Sequence, residues 1–165
     1  LVINYAKDTR YSNEEVASTH DLRMIPAKKL YNLSELTDVK ALEYDVIGID
    51  EGQFFDDLVE VVDRWANFGI IVIVAALDST FQRKSFGKVP ELLAISENVK
   101  KLSAICYDCK NKASFTKRLT SQTDLELVGG SEMYKPVCRG CFYNEGNLSN
   151  QMNDVKLKSN DNLKI

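Results

Sequence analysis

Two stretches of the chain are apolar almost without interruption, and each is closed by polar residues. Val46-Ile47-Gly48-Ile49 runs into Asp50-Glu51-Gly52-Gln53, and Ile70 to Ala76 runs into Leu77-Asp78-Ser79-Thr80. Short continuous β-branched runs are the pattern of strands buried on both faces of a parallel sheet. Between them Leu58, Val61, Val62, Trp65, Ala66 and Phe68 recur at helical spacing. Asp56 or Asp57 stands at the start as a cap and Gly69 at the end as a stop. Strand, helix, strand in this order predicts a right-handed parallel crossover. Leu1 to Tyr5 reads as an earlier strand. Leu30, Leu33, Leu36, Val39 and Leu42 predict a short amphipathic helix capped near Asn32 or Ser34. Pro90 opens a further helix through Leu92, Leu93 and Ile95. Val99 to Ile105 reads as one more strand, weakened by Lys100 and Lys101.

In an open α/β sheet, ligands gather at the carboxyl ends of the strands. The pair Asp50-Glu51 falls at such an end and suggests a division of labour. One acid could hold a metal-bound phosphate while the other accepts a proton from a nucleophile. A solvated strand end is the plainer alternative for the same residues. Arg10 follows the first strand, and its rigid fork suits oxyanions; taken alone, a solvated loop is the favoured reading. The only histidine, His20, is assigned no chemistry.

The four cysteines form two C-x-x-C pairs, Cys106/Cys109 and Cys138/Cys141, separated by residues 110–137. Each pair presents two thiolates to one tetrahedral ion, so the two together close a structural zinc site with no open position. The separation exceeds that of an ordinary zinc ribbon but leaves room for a β-hairpin, with strands expected at Ala113 to Leu119 and Leu125 to Val128. Disulfides are the competing reading, and a cytosolic setting weighs against them. A redox dithiol is disfavoured because there are two pairs and neither opens a helix after a strand.

Composition narrows the classes. Of 165 residues, 44% are hydrophobic and 27% charged, ordinary for a soluble globular protein. The net charge of −3 leaves no electrostatic footprint for nucleic acid or a membrane surface. No apolar run approaches the roughly 18 residues of a membrane span. The expectation is a cytoplasmic protein with no nucleic-acid or membrane partner. Its organisation reads as an α/β core over 1–105, a zinc-ribbon domain over 106–143 and a disordered polar tail over 144–165.

Taken together, Tyr5–Tyr11 (YAKDTRY), Ile49–Phe55 (IDEGQFF), Ala75–Gly87 (AALDSTFQRKSFG), the C-x-x-C pairs, Thr116–Leu119 (TKRL) and Gly129–Tyr134 (GGSEMY) resemble the thymidine kinase family. The resemblance is closer to its cytosolic type, in eukaryotic form, than to the herpesvirus and mitochondrial type, and it covers roughly residues 1–143. It implies a RecA-like P-loop kinase sheet with a small zinc-ribbon lasso domain, and a homotetramer or dimer. It implies transfer of the γ-phosphate of ATP to the 5′-hydroxyl of thymidine, with deoxyuridine possible, giving dTMP in nucleotide salvage. Glu51 then matches the general base and Asp50 the acid acting on Mg²⁺. Asp8, Arg10 and Arg118 match positions near the phosphates. Phe54, Phe86 and Tyr134 match the aromatics around the base, Leu77 and Thr116 its 5-methyl neighbours, and Gln53 a further substrate-side residue. The implied cofactors are structural Zn²⁺, Mg²⁺ and ATP.

One departure stands out. Family members begin with a strand and a G-x-x-x-x-G-K-[ST] phosphate loop, and no such stretch occurs in this sequence. The start at Leu1, inside an apolar run, reads as a fragment. Two other readings compete: a P-loop ATPase stimulated by nucleic acid, and a non-catalytic zinc-ribbon binding module. The second would use Lys110, Lys112, Lys117, Arg118, Lys135 and Arg139. Residues 1–165 alone are expected to bind ATP weakly and to turn over little thymidine. Comparing their rate with that of a chain carrying the phosphate loop tests this, and near-normal turnover by residues 1–165 would refute it.

Overall fold

The computed structural model describes residues 1–8, 16–18, 24–120 and 133–143. Leu1–Lys100 gathers into one compact unit, and residues 101–120 and 133–143 belong to a second. In the first unit the strands are β1 (Val2–Tyr5), β2 (Val16–Ser18), β3 (Met24–Pro26), β4 (Lys28–Leu30), β5 (Val46–Ile49) and β6 (Ile71–Val74). Four of them form a wholly parallel sheet in the order β4-β1-β5-β6, the expected α/β class. β2 and β3 pair antiparallel beside it.

The helices are α1 (Asp38–Ala41), α2 (Leu58–Asn67) and α3 (Val89–Ile95), with single 3₁₀ turns at Leu33–Glu35 and Gly52–Phe54. α2 follows its apolar spacing: Leu58, Val61, Val62 and Trp65 are all buried. It ends in a Schellman motif. Gly69 at φ +90° donates to the Ala66 carbonyl, and Ile70 donates to that of Trp65. Trp65 is fully buried, and its indole N–H reaches Asp38 Oδ1 at 3.2 Å, an oxygen shared with Arg64 Nε at 3.1 Å. The core is built from Ile3, Ile47 and Ile49 of the sheet against Leu33, Leu36, Phe55, α2 and Leu92.

Three expectations are corrected. The central strands are not buried on both faces. Ile47 and Ile49 are buried, but Val46 is 41% exposed and Ile71 and Ile73 are 61% and 60% exposed. Val46 pairs with Ile71 and Gly48 with Ile73, so these positions share one face; among the described residues the helices pack on the other. The helix predicted from Leu30 to Leu42 is instead a strand end, a 3₁₀ turn and one α-turn. A strict step of three falls about 60° short of a full turn in a 3.6-residue helix, so five such positions cannot share a face. Leu30, Leu33 and Leu36 are buried, while Val39 and Leu42 point outward. A capping box between Asn32 and Glu35 closes the 3₁₀ turn, and extended Leu36 and Thr37 interrupt the run. Finally, Val99 to Ile105 is a strand only at Ala104–Ile105, and Val99, Leu102 and Ile105 are exposed, having no core to pack on.

The second unit holds β7 (Ala104–Ile105) antiparallel to β8 (Lys112–Ala113), and β9 (Phe115–Arg118) antiparallel to β10 (Tyr134–Val137). α4 (Arg139–Tyr143) follows, so the Cys138/Cys141 pair does open a helix after a strand, contrary to the sequence expectation. What distinguishes it from a lone dithiol is that both pairs gather in one four-sulfur cluster. Its core is small: Cys106, Ala113 and Val137 are buried, with Phe115 and Phe142 packed against them. The strand expected at Leu125 to Val128 and the polar tail lie outside the described residues. Among the described residues no helix is long and apolar enough to cross a membrane.

Asp57 makes no side-chain cap on α2, contrary to the sequence expectation. Its carboxylate accepts instead from the Leu33 and Ser34 amides at 3.1 and 2.8 Å, tying the 3₁₀ turn to the start of α2. Asp57→Ala leaves both donors without this acceptor and is expected to cost about 1–3 kcal/mol, read as a lower urea midpoint. An unchanged midpoint would show that solvent replaces the carboxylate.

Candidate functional site

Parallel pairing brings the carboxyl ends of β1, β5 and β6 side by side. The chain leaving β5 is tied to both neighbours. Asp50 donates to the Ile3 carbonyl at 2.8 Å, Gly52 donates to that of Ala75 at 3.0 Å, and Ala75 donates to that of Ile49 at 2.8 Å. Between these ties Glu51 sits in the left-handed region at φ 56°, ψ 38°. A non-glycine residue there carries a backbone cost of order 1–3 kcal/mol, tolerated where the surroundings over-determine it. The Glu51 amide donates to Asp50 Oδ1 at 3.0 Å, and both acids are half-buried where Ile49 enters the core.

Gly52 is required by space: a Cβ there would lie 2.6 Å from Val74 Cγ1. Gln53 then turns inward and is 3% exposed. Its Nε2 donates to Glu51 Oε2 at 2.5 Å, and its Oε1 accepts from the Leu77 amide at 3.0 Å. Phe54 is half-buried, stacked on Tyr5 at 5.2 Å and edge-on to Phe86 at 5.4 Å. Phe55 is core, 1% exposed and edge-on to Tyr5. The 3₁₀ turn over Gly52–Phe54 sends the two adjacent rings to different surroundings. Asp8 is 7% exposed, and Lys29 Nζ donates to its backbone carbonyl at 2.8 Å. Leu77 is exposed and Phe86 buried.

The first unit therefore brings together Glu51, Gln53 and Leu77 by hydrogen bonds, with Asp50 adjoining. Phe54 and Phe86 are linked by ring contact. Arg10 and His20 lie outside the described residues. In the second unit Arg118 and Tyr134 face each other across β9 and β10; Arg118 Nη2 donates to the Tyr134 hydroxyl at 2.5 Å, with the guanidinium 5.1 Å from the ring centre. Thr116 lies opposite Pro136 in the same ladder. Sequence reasoning missed Gly87, at φ +48°, where a Cβ would meet the Gln53 carbonyl at 2.3 Å. The signal was its position directly after an aromatic candidate, where a close backbone approach calls for glycine.

The four sulfurs of Cys106, Cys109, Cys138 and Cys141 lie within 4.8 Å of one another, as a metal centre requires. An ion about 2.3 Å from each of four tetrahedral thiolates sets their separation near 3.8 Å, and Cys109 and Cys138 stand 3.6 Å apart. Backbone amides prepare the charge. The Cys109 amide, with those of Cys138 and Asp108, draws the Cys106 thiol down to about 6 against the opposing effect of burial. Cys138 is lowered chiefly by the Cys141 amide, 3.4 Å from its sulfur. The Cys109 and Cys138 sulfurs share the Cys141 proton and push that thiol up to about 12.

The sequence model of the family described as thymidine kinase matches residues 1–142. The chain is 47% identical over 144 residues to the thymidine kinase of sheeppox virus, covering 87% of this chain and 80% of that one. It is 48% identical over 143 residues to the cytosolic thymidine kinase of Gallus gallus, covering 87% and 63%. It is 47% identical over 161 residues to thymidine kinase 1 of Dictyostelium discoideum, covering 94% and 70%.

Because a thiolate ligand competes with its proton, affinity for a thiophilic divalent ion is expected to fall as pH drops through about 6, where Cys106 protonates. Above that pH, binding should release the proton that Cys141 retains to about 12. Chelator competition from pH 5 to 8 with proton-release titration checks both, and pH-independent binding would contradict them.

Proposed function

The chain belongs to the thymidine kinase family, and from that premise we propose that it transfers the γ-phosphate of ATP to the 5′-hydroxyl of thymidine, giving dTMP for nucleotide salvage. The observation that carries this reading is the acid pair at the carboxyl end of β5, with Glu51 held in a left-handed backbone and its carboxylate bonded by Gln53. Phosphoryl transfer asks for positioning and charge stabilisation more than for covalent participation. Glu51 accepts the hydroxyl proton as that oxygen attacks. Asp50 is the residue to hold Mg²⁺, which when bound neutralises charge on the phosphate oxygens. Asp8, Arg10 and Arg118 act toward the phosphates. Phe54, Phe86 and Tyr134 recognise the planar base, and Leu77 and Thr116 its methyl group, roles that rest on the family resemblance.

The four-thiolate set suits a structural Zn²⁺, being closed to a catalytic water. Within this reading residues 1–105 form the kinase core, 106–143 the zinc-ribbon lasso domain and 144–165 a tail, in a cytoplasmic homotetramer or dimer. A positioned base contributes about 10²–10⁴-fold in rate. In the full-length enzyme, Glu51→Gln is therefore expected to lower kcat for thymidine by about that factor while metal content and Tm stay unchanged. A variant with undiminished kcat would remove Glu51 as the base.

A further inference from the structure

The sequence places Gln53 among substrate contacts, but its side chain is turned inward and is 3% exposed. Two bonds occupy it. The Leu77 backbone N–H can only donate, so the oxygen of the Gln53 amide must face it, at 3.0 Å. That fixes which end of the amide meets Glu51: the NH₂ group, 2.5 Å from Oε2. Whether an amide is flipped is ordinarily a matter of assignment; here a backbone donor decides it.

The backbone under Gln53 is equally confined. Gly87 comes so close that an added Cβ would lie 2.3 Å from the Gln53 carbonyl oxygen. Gly52, just before it, donates to the Ala75 carbonyl and leaves no room for a Cβ against Val74. The segment after β6 and the segment after Phe86 thus grip Gln53 from two sides. The grip ends on the carboxylate of Glu51, whose own backbone is left-handed.

We infer that Gln53 is a positioning residue for phosphoryl transfer: its amide, locked by Leu77, aims the Glu51 carboxylate. This role rests on the reading of Glu51 as the base. Gln53 takes no proton and touches no reacting atom in it; it sets where one carboxylate oxygen stands. A fixed donor matters because a displacement of the base by about 1 Å can cost about 10²-fold in rate.

Two substitutions separate the roles. Gln53→Glu keeps an acceptor for the Leu77 N–H but turns a second carboxylate toward Glu51; Gln53→Met removes both bonds at similar length. Each is expected to lower kcat by about 10–100-fold with the thymidine KM within about threefold of wild type. Near-normal kcat in Gln53→Glu would show that Gln53 only braces the Leu77 segment. A raised KM at unchanged kcat would return it to the substrate contacts. Either result overturns the inference with the base reading intact. In a Glu51→Gln background, Gln53→Met is expected to add less than about twofold, because it acts through a carboxylate already removed. A full additional loss overturns the inference. Undiminished kcat in Glu51→Gln alone overturns the base reading instead. Should Gln53→Met fold poorly by Tm, Gln53→Glu with the Glu51→Gln/Gln53→Glu double variant carries the same test.

Discussion

A parallel strand delivers its last side chains to the crevice at its end only if the chain reverses there at once. β5 does so through Glu51, at φ 56°, and the surroundings of that residue follow from the need to hold it. β1 accepts the Asp50 amide, Ala75 just past β6 accepts the Gly52 amide, and Gly52 is small because Val74 leaves no space. The sheet is therefore also the frame of the acid pair. Without the order β1-β5-β6, neither tie would have a partner and the turn would relax toward ordinary backbone.

Much of this was legible in the sequence because burial writes itself as periodicity. α2 announced its stripe, its stop at Gly69 and its place between two parallel strands, and the structure has all three. The cysteine pairs announced one cluster, which the structure assembles. The acid pair was legible as a strand end, but its left-handed backbone was not, since no single residue type requires that conformation at a glutamate. The failures share a cause. Leu30, Leu33, Leu36, Val39 and Leu42, like Ile71 to Val74, are apolar, but apolar content does not say which face a residue occupies or what covers it. Spacing by threes was mistaken for helical spacing, and β-branching was mistaken for burial on two sides. The inward turn of Gln53 was not legible for a different reason: a motif gives proximity in sequence, and only the fold shows which way a polar side chain points.

The two units keep their structure by different means. The first buries a continuous cluster from Ile3 to Leu92. Among its described residues the second buries Cys106, Ala113 and Val137, little apolar surface for strands as short as β7 and β8. Its amides do the preparatory work by pointing at sulfur, and the Lys135–Asp108 and Arg139–Phe115 contacts lie around that centre without substituting for it. The cysteine cluster thus stands at the centre of this unit where the first unit has hydrophobic volume.

β6 adds one more consequence. Among the described residues it pairs only with β5, so its outer row of amides and carbonyls forms a sheet edge. Ile71 and Ile73 stand more than half exposed, and Ile70 to Ala76 contains neither a charge nor a proline. Natural proteins blunt such edges with lysine, proline or a bulge. This one carries none of those devices and meets the composition of segments that stack into cross-β assemblies. Among the described residues, β6 thus combines an open edge with an exposed apolar face, the combination through which strands of separate chains pair.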